Sequence, residues 1–167
     1  EVELYSAEVS ATYDLGYNLG WTFNNPWSLA FTYTEAEFQN DSKNSGGDTI
    51  YGDAKKGNDL PFISEHMVSI GTDVINGPAS FGFIGNWRSS QWSSGGNDSA
   101  KADDTRIGKI PARWIWDFKG SYKMTNSVKY DFGVHNLTNA KYITTFLPLG
   151  PRPGAPLQAY FGISVDY

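Results

Sequence analysis

The chain has 167 residues, a formal net charge of −5 at neutral pH and no cysteine. The acidic balance argues against a nucleic-acid partner, which would favour clustered Lys and Arg, and the missing cysteine excludes disulfides and thiol chemistry. Aromatic residues make up 16% of the sequence although its mean hydropathy is only −0.43. Since no apolar run approaches the roughly 18 residues of a membrane helix, any membrane crossing must be made by strands.

The first part of the chain alternates apolar and polar residues. The alternation runs from Val9 to Phe23, which predicts one strand longer than the about 9–11 residues that a tilted membrane strand needs. Asn24-Asn25-Pro26 is predicted to form a tight turn. A second alternating strand is predicted from Trp27 to about Phe38.

The same hairpin rhythm continues to the end of the chain. Further strands are predicted near residues 66–74, 81–88, 114–123, 128–135 and 158–167. Tight turns at 76–78 and 125–126 alternate with long polar connections at 40–64, 94–111 and 138–156. Outer-membrane barrels have short periplasmic turns and long extracellular loops. The rhythm therefore predicts an all-β fold, an antiparallel transmembrane β-barrel segment of about seven strands with its C-terminus in the periplasm. Because bacterial single-chain barrels have an even number of strands, we expect that at least one strand is missing. No signal peptide opens the chain, and Glu1-Val2-Glu3 resembles the middle of a longer sequence, so we expect the N-terminus to be a cut.

Three short motifs resemble those of a known family. They are Leu60-Pro61-Phe62, Asn136-Leu137-Thr138-Asn139-Ala140-Lys141-Tyr142 and Arg152-Pro153-Gly154-Ala155-Pro156. They resemble elements of TonB-dependent outer-membrane receptors, the last two also in order, spacing and position at the chain end. The Arg152–Pro156 motif most closely resembles that of receptors of the ferric citrate type. Leu157 stands where that type usually has a second arginine.

The resemblance implies a fold and a function. Residues 1–167 would be the C-terminal third of a 22-stranded barrel, without the N-terminal plug and the earlier strands. The protein would be a transporter and not an enzyme. It would take up a ferric chelate, such as ferric citrate or a siderophore, across the outer membrane, and it would hold no covalently bound cofactor. Its partners would be the remainder of the receptor, the TonB–ExbB–ExbD system, outer-membrane lipid and lipopolysaccharide, and the barrel assembly machinery.

The closing strand is predicted to carry the signal for barrel assembly. Phe161, Ile163, Val165 and Tyr167 alternate with small or polar residues up to the chain end. In bacterial barrels, a terminal aromatic residue on such a strand is what the assembly pathway recognises, so the resemblance gives these residues that role.

Candidate ligand-binding residues are Arg88, Trp92 and Arg152. Arginines near the outer mouth of the barrel could bind an anionic iron chelate through charge-assisted, bidentate bonds to carboxylate. The alternative is that lumenal charges pair with one another or with the plug. Alternation places the following charged residues on the lumenal face: Arg88, Lys119, Lys123, Lys129 and Asp131.

No metal site or catalytic site is predicted. The spacing of Asp98, Asp103 and Asp104 matches no calcium loop. Asp131 and His135 would lie about 13 Å apart along one strand, which is too far for a catalytic dyad.

Two alternatives from other classes remain open. The chain could be a complete outer-membrane barrel of eight strands, acting as an enzyme or adhesin, with residues 1–7 in an additional strand. It could also be a soluble, secreted β-sandwich that binds sugar through its tryptophans.

Overall fold

The computed structural model describes residues 1–43, 53–98, 107–147 and 149–166. The elements in chain order are β1 (Val2–Asp14), α1 (Leu15–Leu19), β2 (Pro26–Phe38), β3 (His66–Asn76), β4 (Ala79–Arg88), β5 (Gln91–Trp92), β6 (Lys109–Ile110), β7 (Arg113–Lys123), β8 (Val128–His135), β9 (Ile143–Thr145), β10 (Arg152–Pro153) and β11 (Gln158–Val165). Seven of the strands form one antiparallel sheet in the order β1-β2-β3-β4-β7-β8-β11, as predicted, and β5–β6 and β9–β10 form two small sheets. Within the described ranges, no helix has the length and apolar character needed to cross a membrane.

The register of the sheet separates apolar from polar side chains. Phe31 of β2 lies opposite Val9 of β1 and Val68 of β3. Val68 in turn lies opposite Trp87 of β4, and Trp87 lies opposite Trp114 of β7. Because directly opposite residues of paired strands point to the same side of a sheet, one face is apolar across the strands. We call this side the apolar face and the other side the polar face.

The side chains of the apolar face are exposed. Val9 is 69% exposed, Phe31 40% and Phe161 66%. The buried apolar side chains of the described residues, such as Ile110, lie in the long connections or at the end of β2. A soluble β-sandwich buries such a face against a second sheet, and the part of the chain that the structure describes contains no second large sheet. The architecture is therefore not that of the soluble sandwich alternative.

The two outer strands of the sheet, β1 and β11, do not pair with each other within the described ranges. A complete eight-stranded barrel would close by pairing its first and last strands. The sheet is open instead, and each edge presents unpaired backbone groups that need a partner inside a membrane.

Connections of two kinds leave opposite ends of the sheet. Residues 77–78 and 124–127 form short turns, and we call their side the turn end. Residues 39–65, 89–112 and 136–157 form the long connections, and we call their side the loop end. The predicted alternation of short and long connections is confirmed at these positions.

The predicted first strand, Val9 to Phe23, is wrong at both ends. The strand begins earlier, ends at Asp14 and is followed by α1. The Asp14 carboxylate accepts a 3.0 Å hydrogen bond from the N–H of Tyr17 and so caps the helix. Gly20, at φ 68°, ends the helix in the left-handed conformation that glycine tolerates. Alternation alone could not reveal this capped helix.

The predicted tight turn at residues 24–26 is also wrong. Asn24 continues the ladder between β2 and β3 through two backbone hydrogen bonds with Ile75, of 3.0 and 2.9 Å. Pro26 is the first residue of β2. The connection between β1 and β2 therefore comprises residues 15–25 and is the longest at the turn end.

Candidate functional site

The polar face carries ion pairs in its middle and near its turn end. Lys119 Nζ on β7 lies 3.3 Å from Asp73 Oδ1 on β3. Lys129 Nζ and Asp131 Oδ1, both on β8, lie 2.7 Å apart. Three of the charged residues that alternation places on the lumenal face, Lys119, Lys129 and Asp131, thus form ion pairs within the same sheet.

A third pair links neighbouring strands further toward the loop end. His135 Nδ1 of β8 lies 2.8 Å from Asp117 Oδ1 of β7. The same carboxylate oxygen accepts a 2.9 Å hydrogen bond from the backbone N–H of Asn136. The sequence analysis considered Asp131 as a partner of His135 and did not consider Asp117. The contact with Asp117 could have been predicted, because the short turn after Lys123 fixes the register of this hairpin.

Asn136 ties together the last long connection. Its side chain is 0% exposed and its φ is 51°. Nδ2 donates to the carbonyl oxygens of Ala140 and Ala155, both at 2.9 Å, and Oδ1 accepts from the N–H of Ala140 at 2.9 Å. The first residue of the Asn136–Tyr142 motif therefore has a structural role.

Tyr142, the last residue of the Asn136–Tyr142 motif, contacts Gly154 of the Arg152–Pro156 motif. The N–H of Gly154 donates to the carbonyl oxygen of Tyr142 at 2.8 Å, and a Cβ atom at position 154 would collide with the Tyr142 ring. The guanidinium carbon of Arg113 lies 5.5 Å from the centre of the same ring, a cation–π contact. Gly154 is required for this close packing, and Tyr142 in turn supports Arg113.

Two arginines face each other at the loop end of the polar face. Arg88, the last residue of β4, lies opposite Arg113, the first residue of β7. No acidic side chain within the described ranges forms an ion pair with either of them. Arg113 Nη1 is buried and has no hydrogen-bond partner among the described residues. Directly opposite like charges repel, so an anion bound between the two guanidinium groups would stabilise this arrangement.

The other two candidate ligand residues lie elsewhere at the loop end. Trp92, in β5, lies under Lys109 Nζ at 4.7 Å from the ring centre, and it lines a cavity of about 270 Å³. Arg152, in β10, is exposed, and its carbonyl oxygen accepts from Thr144 Oγ1 at 3.1 Å. Neither Arg88 nor Arg152 is among the described residues that line the Trp92 cavity. The structure thus groups Arg88 with Arg113 and does not bring the three predicted residues into one cavity.

Arg113 and Tyr142 were not predicted as site residues. Alternation back from Asp117 places Arg113 on the polar face, so its side was readable from the sequence. Its position opposite Arg88 was not, because the long connection 89–112 leaves the register of β4 and β7 open.

Two remaining predictions concern the chain end and the acidic loop. Phe161, Ile163 and Val165 of β11 are exposed on the apolar face, and Tyr167 lies outside the described residues. Asp103 and Asp104 also lie outside them. Asp98 is exposed, and no group of three or more His or acidic residues suited to a metal ion is present in the described part of the chain.

Known proteins share this sequence pattern and this sheet. The family described as TonB dependent receptor-like, beta-barrel matches residues 1–137. No curated protein matches the chain in sequence. The ferric citrate transporter FecA, in its unliganded form, is 23% identical with a TM-score of 0.79 over 98% of this chain and 24% of that chain. The copper transporter OprC is 18% identical with a TM-score of 0.68 over 99% of this chain and 24% of that chain. The ferric-catecholate import receptor Fiu from K12 E. coli is 15% identical with a TM-score of 0.62 over 87% of this chain and 21% of that chain.

These solved structures show the fold, and the chain spans about a quarter of the length of each. The predicted transmembrane β-barrel segment is confirmed, with an exposed apolar face for lipid and a polar face for the barrel lumen. Since the family match covers residues 1–137, well over half of the sequence, the chain belongs to the TonB-dependent receptor β-barrel family.

Proposed function

We propose that this chain forms wall and loops of an outer-membrane receptor that actively imports a ferric chelate, driven by the TonB–ExbB–ExbD system. Family membership supports TonB-dependent transport, and two of the similar structures are a ferric citrate transporter and a ferric-catecholate import receptor. The observation that carries the choice of an anionic cargo is the Arg88–Arg113 pair.

The arginine pair suits a chelate that presents carboxylates. Each guanidinium offers a planar fork of donors that matches a carboxylate in a bidentate geometry. Arg113 is held by the Tyr142 ring, and its buried Nη1 has no hydrogen-bond partner within the described ranges. A bare metal cation would be repelled by two positive charges. We infer that the ligand's iron stays enclosed by the chelate while its carboxylates contact the wall.

The orientation of the sheet follows from the connections. Barrels of this class place long loops outside the cell and short turns in the periplasm. We therefore propose that the loop end is extracellular and that the C-terminus is periplasmic. Under this orientation the arginine pair faces the outer opening, and Trp92 and Arg152 lie in extracellular loops as further candidate contacts.

The partners follow from the open sheet and its apolar face. We propose that further strands of the receptor pair with β1 and β11 and that the plug packs against the polar face. Outer-membrane phospholipid and lipopolysaccharide would cover the apolar face. The barrel assembly machinery would recognise Phe161, Ile163, Val165 and Tyr167. We propose neither an enzymatic activity nor a nucleic-acid partner.

Binding of ferric citrate to the complete receptor tests the arginine pair. Loss of a charge-assisted hydrogen bond is worth about 1.5–3 kcal/mol, so Arg88→Gln and Arg113→Gln should each weaken binding by about 10- to 100-fold. Lys129→Gln is the matched control, because it removes a lumenal positive charge that already pairs with Asp131. The variants should reach the membrane in normal amounts. Unchanged affinity in both arginine variants for every carboxylate chelate that the receptor binds would refute the site.

A further inference from the structure

The connection between β1 and β2 differs from the other two turns of the sheet. Residues 15–25 include a capped helix, whereas residues 77–78 and 124–127 are short turns. Residues 15–34 contain no charged side chain. Within the connection, Tyr17 is 81% exposed, Leu19 61% and Trp21 44%. The turn end of the sheet thus carries an uncharged, apolar projection that nothing in the described chain covers.

The projection is fixed by hydrogen bonds to the strands. The Asp14 carboxylate accepts from the N–H groups of Tyr17 and Asn25, both at 3.0 Å. The N–H of Trp21 donates to the carbonyl oxygen of Gly16 at 2.8 Å. These bonds hold both ends of the connection in place, so its apolar side chains have a defined position.

The end of this connection belongs to the lipid-facing side of the sheet. Asn24 pairs with Ile75 in the same antiparallel ladder that joins β2 and β3. Alternation along the segment from Asn24 to Trp27 therefore places Asn25 on the same face as Trp27. Trp27 Nε1 donates to Asn25 Oδ1 at 2.9 Å, which agrees with this placement. Phe23 lies at a bend directly before this paired segment.

Aromatic side chains lie on both sides of the junction between the strands and the connection. Tyr13 and Trp27 form the last paired rings of β1 and β2 on the apolar face. Beyond them, the Trp21 ring lies 5.0 Å from the Phe23 ring. Aromatic side chains that join an apolar body to a polar tip favour the boundary between lipid headgroups and acyl chains.

We propose that residues 15–23 insert into the headgroup region of the outer-membrane leaflet at the turn end, with phospholipid as the partner. The position of the connection directly beyond the lipid-facing rings of Tyr13 and Trp27 and its absence of charge favour lipid over a soluble protein. In the proposed orientation this leaflet is the periplasmic one. The inference rests on the barrel fold and its lipid-facing side, and it does not depend on which cargo the receptor carries.

Fluorescent labels on the complete receptor test this insertion. This chain contains no cysteine, so Tyr17→Cys and Leu19→Cys provide labelling sites once any cysteines elsewhere in the receptor are replaced. Each variant is labelled with an environment-sensitive dye and reconstituted in phosphatidylethanolamine–phosphatidylglycerol vesicles, with or without brominated acyl chains. Leu29→Cys on the apolar face of β2 is the lipid-exposed control, and Asn126→Cys in a short turn is the water-exposed control.

The expected result separates the projection from the other turn. Labels at positions 17 and 19 should emit at shorter wavelength than the label at 126, and brominated lipid should quench them at least twofold. Two sites keep the test decisive when one substitution impairs folding. Quenching by aqueous iodide equal to that at position 126, without quenching by brominated lipid, would overturn the proposal. Protection that develops only on addition of the periplasmic domain of TonB would also overturn it and would identify a protein-docking surface instead. Ferric citrate binding, measured separately, decides the transport proposal.

Discussion

Asn136 Nδ2 donates a 2.9 Å hydrogen bond to the carbonyl oxygen of Ala155 and so joins the two ends of the last long connection. The same side-chain amide donates to the carbonyl oxygen of Ala140 and accepts from the N–H of Ala140. Position 136 thus determines whether the segment entering β11 stays attached to the end of β8.

Asn136→Ala should destabilise this connection. The substitution leaves two part-buried carbonyl groups and one part-buried N–H group without their partner, each at up to about 1–3 kcal/mol. It also places alanine at a φ of 51°, where a Cβ is unfavourable. Limited proteolysis of the complete receptor should cleave residues 137–157 at least tenfold faster than in the wild type. Asn126→Ala, in an exposed turn, is the control and should leave the rate unchanged. Equal cleavage rates in both variants would show that the amide does not hold the loop.

Gly154→Ala should weaken ligand binding without removing an arginine. The added Cβ would displace the Tyr142 ring and with it the support of Arg113. The variant should therefore lose affinity for a carboxylate chelate in the same direction as Arg113→Gln. Gly162→Ala is the control, because a Cβ there would lie 3.9 Å from its nearest neighbour, the Asp131 carbonyl oxygen. Wild-type affinity in Gly154→Ala would contradict the link from Gly154 through Tyr142 to the arginine pair.

Asp117→Ala should destabilise the barrel more than His135→Ala. Asp117→Ala removes the contacts of the carboxylate with both His135 Nδ1 and the N–H of Asn136, whereas His135→Ala removes only the first of these contacts. Since both side chains are one-third or more exposed, the coupling energy between them should be about 0.5–1 kcal/mol. Denaturant unfolding of the single and double variants in detergent measures it. A coupling energy of zero would indicate that the pair has no energetic role.

Asn97 should control how two long connections join at the loop end. Its Oδ1 accepts from the N–H of Asp59 at 2.8 Å, and its Nδ2 donates to the carbonyl oxygen of Asp59 at 2.9 Å. Its φ is 52°. Asn97→Ala should increase proteolysis of residues 53–65. Asn97→Gly separates the two causes, because glycine removes the amide but tolerates the backbone conformation. Wild-type protection in the glycine variant would show that backbone strain, and not the amide, determines the effect.

The sequence by itself determined which face each strand presents. Side chains alternate with period two in any β-strand, so the lipid-facing position of Phe31 or Phe161 and the lumenal position of Lys119 follow from the backbone geometry alone. Short turns also determine register locally, which is why the contact between Asp117 and His135 could have been derived from the turn between β7 and β8. The three motifs identified the family for the same reason: they are local in sequence.

The tertiary structure decided what local rules leave open. A helix capped by Asp14 and a continued strand fit the same alternation of residues 15–23, and only the hydrogen bonds to Tyr17 and Asn25 select the helix. The long connections carry no register information, so the position of Arg113 opposite Arg88 depends on the pairing of whole strands. The arginine pair is therefore a property of the assembled sheet, because pairing strands that are distant in sequence requires the entire ladder between them.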